Sequence, residues 1–97
     1  MTNRVRLRAK LVARGDLRYT PAGVAVLQAG LKYDGALAEA GIERQLSFEL
    51  EAIAVGDAAR RLDRQALGAE LDVSGFLAPR SQRSRSLIVH ITEFTAI

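Results

Sequence analysis

The sequence Asp72-Val-Ser-Gly-Phe-Leu77, followed by Ala78-Pro-Arg-Ser-Gln-Arg-Ser-Arg-Ser86 and Leu87-Ile-Val-His-Ile-Thr-Glu-Phe94, lies near the carboxyl end of the 97-residue chain. The first and last runs are rich in Val, Ile, Leu and Phe, which are typical of strands. The middle run is rich in Ser and Arg. The pattern predicts a strand, a basic loop and a second strand, held out from a small all-β core.

The basic loop carries three arginines separated by Ser and Gln, and no acidic residue occurs in it. A guanidinium group without a carboxylate partner is free to bind an external anion, and a polyphosphate is the obvious one. We therefore expect the loop to contact nucleic acid through Arg80, Arg83 and Arg85.

The charge of the chain is distributed unevenly around a net value of +3. Residues 1–33 carry seven basic residues and one acidic residue. Residues 34–72 carry four basic and nine acidic residues, and residues 73–97 carry three basic residues and one acidic residue. Basic ends favour polyanions through their field and through counterion release. The length predicts one domain spanning 1–97. The lack of cysteine excludes disulfides and thiolate metal sites.

The first third of the chain predicts a hairpin. Residues 4–12 alternate apolar and charged, as a half-buried strand does, and the charged face is either solvated or in contact with phosphates. Thr20-Pro-Ala-Gly23 predicts a type I turn, and the second strand is expected over 23–33, ended by Asp34-Gly35. Between the two strands, an exposed loop places three further candidate contacts, Arg14, Arg18 and Tyr19.

The middle of the chain predicts a loop or single helical turn over 35–43, a strand over 44–55 and a helix over 57–67. In the strand, the inward residues include Phe48, and a change of phase to Ile53 and Val55 predicts a bend. The helix is expected to begin with Asp57 as its N-cap and to end at Gly68.

The last two strands are predicted over 70–77 and 86–94, with Leu71, Val73 and Leu77 inward. Phe76 falls on the polar face, where nucleic acid, a loop, a bend or a partner subunit would cover it. Three strands, a helix and two strands are the order of the OB-fold. That fold is a five-stranded Greek-key barrel, and it binds oligonucleotides across strands two and three and through the loops after strands one and four.

Several classes of reactive site are missing from the sequence. The single histidine, His90, lies in a strand without a second ligand or a nucleophile, so we interpret it as a half-buried, hydrogen-bonded residue. The carboxylates of Glu49 and Glu51 are interpreted as solvated, and no phosphate-binding loop motif is present. We expect no enzyme activity, no cofactor and no metal. Without a signal peptide or a membrane span, we expect a cytoplasmic protein.

Four segments together resemble the family of primosomal replication protein N (PriB). They are the opening Met-Thr-Asn-Arg, the turn Thr20-Pro-Ala-Gly23, the run Glu39-Ala-Gly-Ile-Glu-Arg-Gln45, and Val73-Ser-Gly-Phe-Leu77. The second-strand and fourth-strand segments are also similar to the longer bacterial single-stranded DNA-binding protein. This sequence ends at Ile97, directly after its last strand, so it is more similar to the shorter family.

The resemblance implies a homodimer of OB-folds that binds single-stranded DNA and joins a restart helicase (PriA) and a further partner (DnaT). It also implies that the Arg80–Arg85 loop contacts DNA, and that Arg18 and Arg44 stand at basic positions of the family. The dimer interface is expected near strands four and five, through Val5 and Leu7 of the first strand.

The chain departs from the family where stacking is concerned, because Ile42 and Ser47 replace aromatic residues and Asp34 replaces a cation. Tyr19, Tyr33 and Phe76 are then the remaining candidate stacking platforms, and binding is expected to depend mainly on phosphate contacts. Two alternatives stay open: a protein-interaction module whose DNA binding has decayed, and an RNA-binding OB domain.

Overall fold

A computed structural model describes all the residues, 1–97, as a barrel of strands with one helix. The elements are β1 (Val5–Arg14), β2 (Arg18–Tyr19), β3 (Ala25–Glu39), β4 (Ile42–Val55), α1 (Asp57–Asp63), β5 (Glu70–Pro79) and β6 (Leu87–Ala96). The predicted order of long strands and helix is confirmed. The two-residue strand β2 is additional, so the helix lies between β4 and β5.

The five long strands close into a ring. Antiparallel pairing joins β1 to β3, β3 to β4, β1 to β5 and β5 to β6. The ring is completed by a short parallel pairing of Ala52–Ala54 in β4 with Val89–Ile91 in β6. This closed barrel is the predicted OB-fold architecture.

The core fills the barrel from alternate positions of each strand. In β1 the predicted alternation is confirmed, because Ala9 and Leu11 are buried while the arginines and lysine between the apolar residues are exposed. Helix α1 packs into the core through Ala58, Ala59 and Leu62. The largest fully buried side chains are those of Leu11, Leu27, Leu31, Leu62, Leu71, Val73 and Val89.

The predicted type I turn at Thr20–Gly23 is confirmed. The amide of Gly23 donates to the carbonyl of Thr20 at 2.8 Å, and the amide of Val24 donates to the Thr20 hydroxyl at 3.1 Å. Gly23 has a φ of +84°, which an L side chain would disfavour. The turn returns the chain into β3 and holds β2 against the start of that strand.

The prediction that Asp34-Gly35 ends the second strand, with a loop over 35–43, is wrong. β3 continues to Glu39 and pairs with β4 to the end, through a two-residue turn at Ala40 and Gly41 whose φ values are 51° and 77°. Two positive φ values match the twist of a tight hairpin. Asp-Gly does not break the strand because Tyr33 lies over Gly35, at the place where a β-carbon would sit.

The interpretation of Phe48 as a core residue is also wrong. It lies on the inner face of the β3–β4 hairpin, but beyond the barrel, where it stays 42% exposed and stacks on Tyr33 at 5.3 Å between ring centroids. The predicted change of phase does not occur. Ala52 and Ala54 are both buried, and Ile53 remains on the outer face.

Helix α1 is shorter than predicted and its caps differ. Gly56, with a φ of 73°, precedes it and no side chain caps it; Asp57 instead belongs to the first turn and accepts a hydrogen bond from Arg60 at 2.8 Å. The helix ends at Asp63, and the amide of Gly68 donates to the carbonyl of Leu11 rather than to the helix. The helix is neither long nor apolar enough to cross a membrane.

The antiparallel pairing of β5 with β6 contains a bulge. Their register shifts between Ser74 and Gly75, so that Gly75 pairs with Ile91. At Gly75 the backbone of β6 is so close that a β-carbon would collide with the carbonyl of His90. Beyond the bulge, Leu77 pairs with the buried Val89 and therefore shares its inward face, as predicted, but β1 does not pair with β5 this far along and Leu77 stays 38% exposed.

Candidate nucleic-acid interface

A cleft of about 600 Å³ crosses the outer face of the sheet. Its floor is formed by Gln28 of β3, Ile53 of β4 and His90 of β6, and its ends by Arg14 and Arg80. Arg14 ends β1 and precedes the first loop, and Arg80 begins the loop between β5 and β6. The cleft therefore lies where OB-folds bind oligonucleotides, between the two loops that the sequence selected.

The expectation that Arg80 lacks a carboxylate partner is wrong. Its guanidinium group forms an ion pair with Glu51 on the outer face of β4. The pair forms because Glu51 lies on the strand that pairs with β6, a neighbour that sequence distance hides. Arg83 and Arg85 lie in the exposed part of the loop, and neither takes part in any of the ion pairs of the structure.

Arg14 interacts with residues at the carboxyl end of helix α1 and directly after it. Its guanidinium group donates to the carbonyl of Gln65, and its Nε lies 3.9 Å from a carboxylate oxygen of Asp63. Arg14 is exposed, as predicted, but it ends β1 and its guanidinium group is not free. The residue lines the cleft, but with its charge partly engaged.

Arg18 and Tyr19 form β2, in register with Val26 and Ala25 of β3. Both side chains are exposed, and Arg18 takes part in none of the ion pairs. Both are thus exposed as predicted, although on a short strand rather than a loop, and the guanidinium group of Arg18 is available to an anion.

Arg44 lies near the tip of the β3–β4 hairpin rather than in the cleft. It pairs with Glu39 at 2.9 Å, and both side chains are more than half exposed. An exposed pair of this kind contributes at most about 1 kcal/mol, so a phosphate could displace the carboxylate. The structure does not bring Arg44 together with the cleft residues.

Phe76 stands on the outer face of β5 beside His90 of β6. The two rings are parallel within 13°, with centroids 4.7 Å apart, and Phe76 remains 37% exposed. His90 is half-buried as predicted, but its side chain makes no hydrogen bond. The sequence interpretation missed His90 and Ile53 as cleft residues. The outward phase of Phe76 was the signal, but the pairing register that places His90 beside it was unknown.

The charged face of β1 is partly engaged. Arg6 donates to both oxygens of Asp72, at 3.3 and 3.0 Å, and this hydrogen bonding holds the pKa of Asp72 below its usual value. Arg8, Lys10 and Lys32 line a second depression of about 390 Å³, where β1 and β3 separate. Phosphate contact along this face stays a prediction.

The candidate interface residues Val5 and Leu7 have half-buried side chains on the inner face of β1, and Leu7 packs against the core. Part of one backbone edge of β1 is not paired with another strand. Residues 5–9 pair with β5 on one side, and pairing with β3 on the other side begins only at Lys10. A second chain could therefore add to this free edge.

The sequence matches a family described as "another single-strand binding protein family" over residues 3–93. Two relatives bear the name replication restart protein PriB. The protein of Nitrosomonas europaea is 32% identical over 91 residues, which cover 94% of this chain and 84% of the relative. The protein of Bordetella pertussis is 35% identical, with 94% and 85% covered.

Solved structures give the same grouping. The protein priB from Ralstonia solanacearum matches with a TM-score of 0.90 and 42% identity, over 99% of this chain and 98% of that chain. The single-stranded DNA binding protein from Thermus aquaticus matches with a TM-score of 0.78 and 28% identity, over 99% of this chain and 50% of that chain. The matched regions contain the cleft and both loops.

Proposed function

This chain belongs to the single-strand binding protein family together with the replication restart proteins PriB, and from that premise we propose that it binds single-stranded DNA during replication restart. The observation that carries the proposal is the cleft on the outer face of β3, β4 and β6, bounded by two loops with exposed arginines. No element of the cleft resembles a catalytic group, and we expect binding without catalysis.

Phosphate contacts would supply most of the affinity. Arg18, Arg83 and Arg85 are exposed and free of carboxylate partners, so each can meet a phosphate without first breaking an ion pair. Each phosphate neutralised on a single strand adds about −0.7 to the slope of log affinity against log salt. Binding should therefore weaken steeply as salt increases.

A fluorescence-polarisation titration with labelled oligo-dT over a series of salt concentrations tests the proposal. We expect the double substitution Arg83→Ala and Arg85→Ala to weaken binding on the order of 10-fold at low salt. We also expect it to flatten the salt slope by about 1.4, because two phosphate contacts are lost.

The matched control removes the same two charges from α1 and its end, through Arg60→Ala and Arg64→Ala. Arg60 pairs with Asp57, and neither residue lines the cleft. This control should leave the slope near that of the wild type. Equal effects of the two double variants would contradict the loop contact, and no binding of oligo-dT at low salt would contradict the proposed function.

A protein-interaction module is the second candidate, and one observation favours it. The carboxylate of Glu51 forms an ion pair with the guanidinium group of Arg80 in the cleft. Glu49 lies on the same face of β4, opposite Lys32. Carboxylates on a DNA-binding face oppose phosphates, whereas a basic partner protein would bind them. Binding to the restart helicase without any binding to oligo-dT would select this candidate.

The assembly we propose is a homodimer that acts with the restart helicase PriA and a DnaT-like partner at replication forks, and so in the cytoplasm. Support for the dimer comes from the free backbone edge of residues 5–9. Support for the helicase and its partner comes from membership of the family. Co-sedimentation of the purified chain with the helicase tests that part of the proposal.

A further inference from the structure

We propose that Asn3 is a positioning residue for the arginines of the basic loop, an inference that rests on the proposed single-stranded DNA binding. The side-chain nitrogen of Asn3 donates a hydrogen bond to the backbone carbonyl of Leu77 at 2.8 Å. Its side-chain oxygen accepts a hydrogen bond from the backbone amide of the same residue at 3.0 Å. Leu77 lies three residues before Arg80, so these two bonds join the amino end of the chain to the base of the loop.

The side chain of Asn3 replaces a missing backbone partner. In the register of β1 and β5, Val5 lies opposite Gly75, so residue 3 stands opposite Leu77. The backbone of β1 does not pair at this position, because the strand begins only at Val5. A side-chain amide carries the same kinds of donor and acceptor as a peptide group. Asn3 therefore continues the hydrogen-bonded ladder by one position.

Beyond this position, the β5–β6 hairpin forms an arm, residues 77–88, with little other support. β1 pairs with β5 only as far as Gly75, and β4 pairs with β6 only over Val89–Ile91. A two-stranded hairpin is marginally stable by itself. The ion pair of Arg80 with Glu51 holds the outer face of the arm, and the bonds to Asn3 hold its β5 edge.

The bulge between β5 and β6 is the place where the arm can turn. The register of the two strands shifts between Ser74 and Gly75, two residues before Leu77. The backbone of β1 pairs with β5 only up to the bulge, whereas Asn3 bonds to β5 beyond it. Asn3 therefore limits the rotation of the arm about the bulge. Arginines that are already in place lose less conformational freedom when they bind a phosphate.

The first test measures affinity for oligo-dT by fluorescence polarisation over a series of salt concentrations. Asn3→Ala should weaken binding about 3-fold, because two water-exposed hydrogen bonds are lost. It should leave the salt slope unchanged, since the same number of phosphates is neutralised in the complex. Asn3→Gln, which keeps the amide, should restore most of the affinity. Thr2→Ala is the control, because Thr2 is an exposed neighbour whose side chain makes no hydrogen bond.

The second test follows the arm directly. The chain contains no cysteine, so one nitroxide spin label can be attached through Gln82→Cys in the loop or through Asp16→Cys in the first loop. In the electron paramagnetic resonance spectrum, Asn3→Ala should increase the mobility of the label at position 82 and leave that at position 16 unchanged. A residue that only stabilises the barrel would not produce this difference between the two labels.

Circular dichroism of each variant confirms the fold. A folded Asn3→Ala variant that binds oligo-dT as tightly as the wild type would overturn the positioning role while leaving the proposed function standing. An unchanged label at position 82, or an equal change of both labels, would overturn it too. A wild type that does not bind oligo-dT at low salt would overturn the proposed function, and the positioning role with it.

Discussion

The guanidinium group of Arg80 has two possible partners, the carboxylate of Glu51 in the free protein and a phosphate in a DNA complex. Both side chains are about half exposed, so the ion pair is screened and contributes little to stability. The ion pair would instead affect the affinity for DNA. Glu51 competes with a phosphate for this guanidinium group and so withholds one phosphate contact from the wild type.

We therefore predict that Glu51→Gln strengthens binding to oligo-dT by about 2- to 5-fold, the range expected for an exposed ion pair. Since Arg80 becomes free for one more phosphate, the salt slope should steepen by about 0.7. Polarisation titrations at several salt concentrations measure both quantities.

Glu49→Gln is the matched control. It removes the same charge from the same strand face, but it lies opposite Lys32 and leaves Arg80 paired. It should not steepen the slope. If both variants change the slope equally, or if the gain of Glu51→Gln survives when Arg80→Ala is added, the competition between carboxylate and phosphate does not operate.

At the level of elements, the bulge between β5 and β6 depends on one glycine. A β-carbon at Gly75 would collide with the carbonyl oxygen of His90 and would lie 2.8 Å from its carbonyl carbon and 3.2 Å from the Cα of Ile91. These contacts are with the backbone, which cannot rotate away. The same bulge sets the register that puts Phe76 beside His90.

We predict that Gly75→Ala lowers the free energy of unfolding by about 2 kcal/mol or more, because an overpacked interior must shift its backbone. Urea denaturation followed by circular dichroism measures the change. Gly15→Ala is the control. Its β-carbon would make only ordinary contacts, the nearest at 3.6 Å from the carbonyl oxygen of Gln28, and its stability should stay within about 1 kcal/mol of the wild type. Equal stability of the two variants would contradict the close approach.

Local patterns predicted the strands of the barrel well. The alternation of β1 and the turn at Thr20–Gly23 depend on neighbours in sequence, and both are confirmed. The length of β3 could not be predicted in the same way. Asp34-Gly35 favours a turn locally, but pairing with β4 and the ring of Tyr33 over Gly35 stabilise an extended strand.

The candidate site was also predictable only where it depends on local sequence. The arginines of both loops and the outward phase of Phe76 were visible in the sequence. The partners of Arg14 and Arg80 were not, because they lie on elements that meet only through the helix and through strand register. For the same reason, the sequence could not place His90 beside Phe76.

The whole molecule is more extended than its length requires. Its radius of gyration is 14.2 Å, against about 13 Å for a compact chain of this size, and its longest dimension is 50 Å. The β3–β4 hairpin extends past the barrel and carries apolar residues on its inner face. Leu37 is 56% exposed and Ile42 is 67% exposed. The free edges of residues 5–9 and 33–39 begin at the fork where β1 and β3 separate.

These open edges and the apolar face lie on neighbouring parts of one surface, and a second copy of the chain could cover both. A closed two-fold interface uses the same patch of each copy, so a hairpin that covers its partner is covered in return. We therefore predict that the wild type sediments as a dimer at micromolar concentration. The double substitution Leu37→Glu and Ile42→Glu should shift it towards the monomer, because two buried carboxylates would repel and lose their hydration.

Leu67→Glu provides the control for this experiment. Leu67 is 59% exposed but follows the helix, away from the hairpin, so the same change of side chain should leave the sedimentation coefficient unaltered. Circular dichroism shows whether each variant keeps its strands. A wild type that sediments as a monomer, or a folded double variant that still sediments as a dimer, would show that the hairpin face is not the contact. In the second case the dimer would have to form through the β1 edge alone, and residues 5–9 would become the segment to substitute.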